Sequence, residues 1–235
     1  MFATALGTWR IDLIDVLEEI KIKGYATLRS HASEEAITSL ATTIGYAKGA
    51  ESIGVKTLEG DGDVAWLPSH TECLILGDPA LQCFALGCVE SAPVGGATCL
   101  YDGRQAAQSL VANFPEMLGV RIRYRSHAYP GQEAIHPLIC DDPDYGPVLR
   151  YRSRVDTNAV ISVPPAMGED VLYRLVDRAV RDALTLTHRW RPGDLLIVNN
   201  RFMIHAREPY CGRRVMVRCR YDDPNHKTLK LGGSP

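Results

Sequence analysis

Two amphipathic helical patterns and one strand pattern occupy the N-terminal part of the chain. The segment IDLIDVLEEIKIKG places its apolar residues at helical spacing and ends at Gly24. YATLRS follows with the composition of a strand. SEEAITSLATTIG then predicts a second helix, with Ser33 as its N-cap and Gly45 at its end. Residues 46–66 show no clear period and are predicted to form loops.

From Leu67 onwards the pattern changes to short apolar segments separated by glycine and proline, which predicts strands. The strand candidates are LPSHTECLIL, LQCFALGCVES, ATCLYD, GVRIRYRSHAY, PVLRYRS, TNAVISV, RPGDLLIVNN and RRVMVRCRY. A short helix is predicted in RQAAQSLVANF and a long amphipathic helix in EDVLYRLVDRAVRDALTLT. Helices followed by many short strands favour a β-sandwich or a small barrel buttressed by helices, whose mouth can hold a small ligand.

The chain is predicted to form a single domain, because it contains no internal repeat and no linker-like composition. Its helical part covers about residues 1–66, its core about 67–221 and a polar tail 222–235. The segment HAYPGQEAIHPLICDDPDYGP, residues 127–147, is long and has no clear period. Loops of this length in compact domains are usually functional or disordered, so this segment is expected to cover the substrate.

Composition narrows the class of protein. The 235 residues are 46% hydrophobic, and 26 basic residues balance 28 acidic ones, which argues against nucleic acid as a partner. No apolar run approaches the roughly 20 residues of a membrane span. The seven cysteines are scattered and odd in number, which indicates reduced thiols. Because the N-terminus has no basic region followed by an apolar core, we expect a cytoplasmic protein.

His70 and Glu72 stand two residues apart in the apolar run LPSHTECLIL. On a strand such residues share one face, and burying both is costly unless they are paired or bound to something. A hydrogen bond at a strand end explains an isolated H-x-E motif well. The alternative is that both residues are ligands of a metal ion, and the motif by itself does not decide between the two.

His205 supplies the third member of a candidate metal site. It lies in GDLLIVNNRFMIHAREPYCGRRVMVRCRY, after a predicted buried strand, although a histidine of a surface loop would fit the same position. Two imidazoles and one carboxylate form the ligand set of non-haem Fe(II) oxygenases, which leaves coordination positions open. Combined with His70 and Glu72, His205 completes such a set.

At this point the sequence resembles the Fe(II)/2-oxoglutarate-dependent dioxygenases of the taurine dioxygenase and clavaminate synthase type. The resemblance rests on HTE, on GGATCLYDG and on GDLLIVNNRFMIHAR with GRRVMVRCRY, in that order. It implies an oxidoreductase that is mostly β with flanking helices, built as a double-stranded β-helix (jelly roll, cupin-like). Glu72 in place of the commoner Asp points to the clavaminate synthase side. It also disfavours halogenation, because halogenases of this superfamily carry a small residue there.

The same resemblance implies the cofactors and the residues that bind them. His70, Glu72 and His205 would ligate Fe(II), with 2-oxoglutarate and O2 as co-substrates. The far carboxylate of 2-oxoglutarate would meet Arg214 and the hydroxyl of Thr98.

Arg218 matches the position that contacts an anionic group of the substrate in several family members. Arg213 adjoins Arg214, and a shift by one residue would exchange their roles. Arg214 is preferred because it shares strand parity with Arg218, so both would face the interior of the barrel.

The predicted reaction couples oxidative decarboxylation of 2-oxoglutarate to oxidation of a small anionic or zwitterionic substrate, such as an amino acid or derivative in specialised metabolism. Hydroxylation is the first expectation, and desaturation, epoxidation or cyclisation are alternatives. The chain is short for the family, which also fits a larger or carrier-bound substrate. A non-catalytic jelly-roll sensor and a metalloenzyme without 2-oxoglutarate, such as an isomerase, are further alternatives. The oligomeric state stays open, and a homodimer is one possibility.

Several other polar or aromatic residues have structural explanations of equal weight. Asp156 could meet a cationic group of the substrate or pair with a neighbouring arginine, and Trp66 could line the pocket or pack. The adjacent Asn199 and Asn200 are expected to fix the turn before the third ligand. Three further histidines are not assigned to the metal site. His127 and His136 have no carboxylate two residues away on a strand, and His188 is expected to end a helix.

Overall fold

The computed structural model describes residues 12–74, 81–126, 133–153, 159–162 and 168–222. The α-helices in these ranges are α1 (Leu13–Lys23), α2 (Glu34–Ala47), α3 (Gly103–Asn113) and α4 (Glu169–Asp182), and a 3-10 helix spans Pro115–Gly119. Side chains of Asp12 and Ser33 cap the first two helices by accepting hydrogen bonds from backbone N–H groups. Gly24 ends α1 with φ at 89°, in the left-handed region that favours glycine.

Strands contain more of the described residues than helices do. In chain order these are β1 (Tyr25–Arg29), β2 (Ile53–Gly60), β3 (Asp63–Val64), β4 (Leu67–His70), β5 (Leu81–Glu90), β6 (Val94–Gly95), β7 (Thr98–Asp102), β8 (Arg121–Ser126), β9 (Glu133–Pro137), β10 (Ile139–Asp142), β11 (Gly146–Leu149), β12 (Ala159–Ser162), β13 (Leu184–His188), β14 (Asp194–Asn199), β15 (Met203–Arg207), β16 (Tyr210–Cys211) and β17 (Arg214–Asp222).

Two sheets form the body of the fold, and the pairings between neighbouring strands are antiparallel. The larger sheet has the order β1-β14-β5-β17-β2, and the smaller one has the order β13-β7-β15-β4. Three small sheets accompany them, with the orders β12-β8-β9, β10-β11 and β3-β16-β6. The fold is therefore mostly β with a few helices, as the sequence predicts.

Strand parity separates the helix-covered face of the large sheet from the interior. Leu195 and Ile197 of β14 join the cluster that contains buried residues of α1 and α2, whereas Leu196 and Val198 join an interior cluster with Leu100 of β7. The outer face of the small sheet is covered by α3 and α4. The residues between the two sheets are therefore enclosed by two helix-covered layers.

Three regions differ from the sequence prediction. Residues 46–66 contain β2, an edge strand whose many exposed polar positions hide its period. The long helix was predicted to continue through LTLT, and this is wrong. α4 ends at Asp182, and Leu184–His188 form β13, which pairs with β7. Residues 133–147, expected to belong to a long loop, instead form β9, β10 and the start of β11. That the segment covers the substrate stays a prediction. Residues 127–132 lie outside the described residues.

Candidate metal centre

His70 and His205 meet as direct neighbours across a strand pair. His70 is the last residue of β4 and His205 lies in β15, and their Cα atoms are partners in the antiparallel register. Their ring centroids lie 4.1 Å apart, and the ring of Phe84 from β5 lies 4.8 Å from that of His205. The smaller sheet thus holds two imidazoles side by side, and Phe84 of the larger sheet packs against one of them.

Glu72 joins them from outside the strand, which corrects the sequence argument. β4 ends at His70, so the two residues do not share a strand face. The backbone N–H of Thr71 instead donates to the carbonyl of Tyr151 at 2.7 Å, and Cys73 follows with φ at 61°. This turn brings the Glu72 carboxylate back towards the imidazoles.

The ligand atoms of His70, Glu72 and His205 all lie within 4.8 Å of one another, and all three residues are buried. Among the residues that the structure describes, this is the only group of three or more such side chains that could hold a metal ion. Oε2 of Glu72 lies 3.4 Å from Nε2 of His70 and 3.8 Å from Nε2 of His205. These distances suit three ligands that surround a common point.

The hydrogen bonds of His70 test whether a cation fits at that point. Its Nδ1 lies 2.8 Å from the carbonyl of Pro68, which can only accept, so Nδ1 carries a proton. Nε2 of a neutral ring is then a lone pair that faces the Glu72 carboxylate. Two acceptors at 3.4 Å require a positive species between them, either a second proton or a metal ion. The arrangement therefore fits a divalent metal.

The protonation states also suit metal binding. Burial has the largest effect on Glu72 and would raise its pKa, but the close contact with His70 and the charge of Arg220 bring that pKa well below its ordinary value. Burial, followed by repulsion from His70, lowers the pKa of His205 well below its ordinary value, against the attraction of Glu72. An ionised carboxylate and a neutral imidazole are the forms that ligate metals.

Asn200 holds the backbone of the H-x-E turn and was assigned too small a role from the sequence. Its Oδ1 accepts from the N–H of Glu72 at 2.9 Å, and its Nδ2 donates to the carbonyls of Glu72 and Leu81 at 3.0 and 2.9 Å. Asn199 does fix the local turn as expected, because its Oδ1 accepts from the N–H of Arg201 at 3.1 Å. No sequence signal separates the two asparagines, since the contact of Asn200 spans 128 positions.

Arg214 is a buried guanidinium on the interior face of β17. Its Nη2 lies 3.5 Å from the carbonyl of Gly96, and its charge lies over the ring of Tyr210. Among the described residues no carboxylate lies within ion-pair distance of it. Burial, followed by the like charge of Arg207, lowers its pKa, although a guanidinium stays protonated at neutral pH. A buried cation without an anionic partner is suited to bind an anion.

The neighbouring Arg213 points the other way, as the parity argument predicts. Its side chain is 59% exposed, and its Nε donates to Glu90 at 2.9 Å. The interior orientation predicted for Arg214 is therefore confirmed.

Thr98 begins β7, two residues after Gly96, and is buried. Its hydroxyl accepts a hydrogen bond from Nε1 of Trp190 at 3.0 Å, a partner that sequence reasoning missed. Gly95 and Gly96 both have φ near 75°, and a Cβ on Gly95 would lie 2.2 Å from the carbonyl oxygen of Pro209. Only glycine allows this approach, which brings the chain before Thr98 against the residues near Arg214.

Arg218 and Arg220 extend from the same face of β17 towards the carboxylate of Glu72. Nη1 of Arg218 lies 3.3 Å from its Oε1, and Nε of Arg220 donates to the same oxygen at 2.9 Å. Nη2 of Arg220 makes a further hydrogen bond with it. Arg220 was missed from the sequence, although its parity with Arg214 and Arg218 was a usable signal.

The remaining candidates lie elsewhere or are not described. Trp66 precedes β4 and is half exposed, while Asp156 and His127 lie outside the described residues. His136 is buried in β9, with its Nε2 2.9 Å from the carbonyl of Leu74. His188 was expected to end a helix, and this is wrong, because it ends β13. Its Nε2 lies 3.4 Å from a carboxylate oxygen of Asp194. None of the described helices has both the length and the apolar character needed to cross a membrane.

Comparison with known proteins agrees with this site. The model of the family described as taurine catabolism dioxygenase TauD, TfdA family, matches residues 12–220. The chain belongs to this family. The resemblance inferred from its motifs is thereby confirmed over most of its length.

Two curated relatives of this TauD/TfdA family member match parts of it. Pentalenolactone F synthase of Streptomyces arenae is 32% identical over 98 residues, which make up 40% of this chain and 33% of that protein. The (S)-phenoxypropionate/alpha-ketoglutarate-dioxygenase of Sphingobium herbicidovorans is 28% identical over 103 residues, 43% of this chain and 36% of that protein. The matched segment thus spans about a third of the length of each relative.

Solved structures share the fold across nearly the whole chain. PvcB from Pseudomonas aeruginosa superposes with a TM-score of 0.72 at 17% identity, covering 92% of this chain and 84% of that one. Another structure of PvcB is described as an Fe, alpha-ketoglutarate dependent oxygenase from an isonitrile synthetic pathway. A taurine dioxygenase from Burkholderia xenovorans has a TM-score of 0.71 at 20% identity, with the same coverage.

Proposed function

We propose that this chain is an Fe(II)- and 2-oxoglutarate-dependent oxygenase whose iron is held by His70, Glu72 and His205. The observation that carries the proposal is the convergence of their ligand atoms within 4.8 Å, in a buried site where a lone pair and a carboxylate need a cation between them. Family membership supports the choice of metal. We further propose that the two large sheets close as a double-stranded β-helix around this site.

The bound iron and O2 would supply the oxidising chemistry, with 2-oxoglutarate as the source of two electrons. The residues of the chain would hold and orient the reactants. Arg214 would pair with the far carboxylate of 2-oxoglutarate through its planar fork, because it is buried and no described carboxylate lies within ion-pair distance of it. The Thr98 hydroxyl accepts from Trp190, so its own proton is available for the same carboxylate.

The charges of the site support an anionic substrate. Three guanidinium groups of β17 face the interior, those of Arg214, Arg218 and Arg220, against the single carboxylate of Glu72. A divalent metal adds two positive charges, and the dianion 2-oxoglutarate leaves a positive excess. A carboxylate or similar anion on the substrate would offset part of that excess, and Arg218 would be its partner.

Which oxidation takes place depends on the substrate. We expect that substrate to be a small molecule of specialised metabolism, such as an amino acid or derivative. The name of the relative in Streptomyces arenae, a pentalenolactone F synthase, supports this direction. Hydroxylation is the simplest outcome, while desaturation, epoxidation and cyclisation use the same oxidant. The relatives described above are named as synthases or dioxygenases, which favours an enzyme over a sensor.

Anaerobic titration with Fe(II) and 2-oxoglutarate tests the cofactor assignment. The wild-type protein should develop a visible metal-to-ligand charge-transfer band, which His70→Ala and His205→Ala should lose. Arg213→Gln is a matched control, because this exposed residue should not affect the band. A wild-type protein without the band, or a band that persists in His70→Ala, would show that the assignment is wrong. Substrate-dependent release of succinate, with mass spectrometry of the products, then identifies the substrate.

A further inference from the structure

The two carboxylate oxygens of Glu72 face different partners. Oε2 faces the imidazoles, 3.4 Å from Nε2 of His70 and 3.8 Å from Nε2 of His205. Oε1 faces β17, where Arg220 donates from both Nε and Nη2, and where Nη1 of Arg218 lies 3.3 Å away. One oxygen is thus directed to the candidate metal position, and guanidinium groups hold the other.

This division has a consequence for metal coordination. A carboxylate that binds through one oxygen leaves three positions of an octahedral ion open when two imidazoles supply the other protein ligands. A carboxylate that binds through both oxygens takes one of those positions. Glutamate has one more rotatable bond than aspartate, so its carboxylate has more freedom to turn. A fork of two donors on Oε1 removes that freedom.

The placement of Arg220 is set by the sheet and does not depend on Glu72. Arg220 pairs with Phe84 of β5 in the antiparallel register, and the Phe84 ring lies 4.8 Å from that of His205. The flanking Cys219 and Tyr221 belong to the cluster on the opposite face, which packs against α1 and α2. The strand therefore presents Arg220 to the interior next to the imidazoles.

We propose that Arg220 is a positioning residue that holds Glu72 as a ligand through a single oxygen. The proposal rests on the proposed function, because it takes Glu72 as a metal ligand. Arg220 acts through Glu72 and does not itself contact the metal, 2-oxoglutarate or the substrate. Arg220 contacts Oε1 of Glu72 through two nitrogens, whereas Arg218 contacts the same oxygen through Nη1, at 3.3 Å.

Cobalt(II) in place of iron gives a test that does not depend on turnover. The intensity of its visible ligand-field bands depends on coordination number, so the spectrum reports how Glu72 binds. Arg220→Gln should still bind Co(II), but with an altered spectrum. Its affinity for 2-oxoglutarate should fall about tenfold or more, since removing a residue that orients a metal ligand typically causes a loss of that size. Arg213→Gln, at the exposed residue directly before β17, should match the wild-type protein in both measurements.

A spectrum of Arg220→Gln identical to that of the wild type overturns the proposal. So does weaker binding of 2-oxoglutarate without a spectral change, because Arg220 would then act only by its charge. If Arg220→Gln does not fold, Arg220→Lys retains the charge without the fork and is judged by the same spectral change. Failure of the proposed function would appear elsewhere: wild-type protein would not bind Co(II), or His70→Ala would bind it equally well.

Discussion

Asn200 makes hydrogen bonds to both the backbone N–H and the backbone carbonyl of Glu72, a residue 128 positions earlier in the chain. The same amide donates to the carbonyl of Leu81, so it bridges the turn and the start of β5. Asn200 is fully buried. The path of the chain at the candidate metal centre is therefore held by a side chain that has no metal-binding chemistry of its own.

Asn200→Asp should destabilise the protein strongly, although the two side chains have nearly the same size and shape. The substitution replaces the Nδ2 donor by an oxygen, so two buried carbonyls lose their partner and face a carboxylate. We expect a loss of about 2–4 kcal/mol in the free energy of unfolding, measured by denaturant titration of the metal-free protein. Asn113→Asp, at an exposed helical amide, is the control and should change stability by less than about 0.5 kcal/mol. Equal effects of both substitutions would contradict the anchoring role.

Arg214→Gln should weaken the binding of 2-oxoglutarate without destabilising the protein. The affinity of the iron-loaded protein for 2-oxoglutarate should fall by about two orders of magnitude, because the far carboxylate loses its cation. The metal-free protein should be no less stable than the wild type, since the variant removes a buried charge that has no carboxylate partner among the described residues. Calorimetry and thermal unfolding measure the two effects. If Arg213→Gln instead causes the loss of affinity, the assignment of the two arginines is reversed.

Trp190→Phe should raise the KM for 2-oxoglutarate by about three- to tenfold and change kcat little, which corresponds to one hydrogen bond. The substitution removes the indole N–H that binds Thr98 and retains an aromatic ring beside His188. In a Thr98→Val background the same substitution should have no further effect. An equal loss in both backgrounds would mean that Trp190 acts independently of the Thr98 hydroxyl.

Arg218→Gln should weaken the response to substrate without weakening the binding of 2-oxoglutarate. Succinate release without substrate should stay near the wild-type rate, whereas its stimulation by an anionic substrate should need about tenfold or more substrate. The two rates are measured in the same coupled assay. A variant that loses the affinity for 2-oxoglutarate instead would place Arg218 with the co-substrate.

Cysteine labelling tests the burial pattern through its pH dependence. Burial raises the pKa of Cys88 and of Cys219 to about 11, so both are protonated thiols at pH 8. Since the thiolate is the nucleophile and both side chains are buried, their labelling in the folded protein should be slow at pH 8 and should increase as the pH rises. Cys211 is exposed and should react first at pH 8, as peptide mass spectrometry can show. Rapid labelling of Cys88 at pH 8 would contradict the packing of β5.

The sequence alone predicts elements whose pattern is local and regular. The first two helices, β5, β7 and β14 have clear periods or continuous apolar runs, and the structure has them close to the predicted positions. β2 escaped prediction because an edge strand with many exposed residues has no apolar alternation. The strands β9 and β10 escaped because their pattern is interrupted by prolines and acidic residues. Local patterns cannot show which partner strand compensates for such interruptions.

The chemical inventory of the site was determined by the sequence: an H-x-E motif, a later histidine and an arginine of defined parity on the last strand. These features are readable because residue type and spacing are linear properties. Tertiary structure alone decided that His70 and His205 are cross-strand neighbours and that Glu72 reaches them from a turn. It also decided that Asn200 and Arg220 hold Glu72 and that Trp190 donates to Thr98. The physical reason is that strand register and long-range hydrogen bonds depend on which segments pack together, and residues far apart in the chain carry no local sign of that choice.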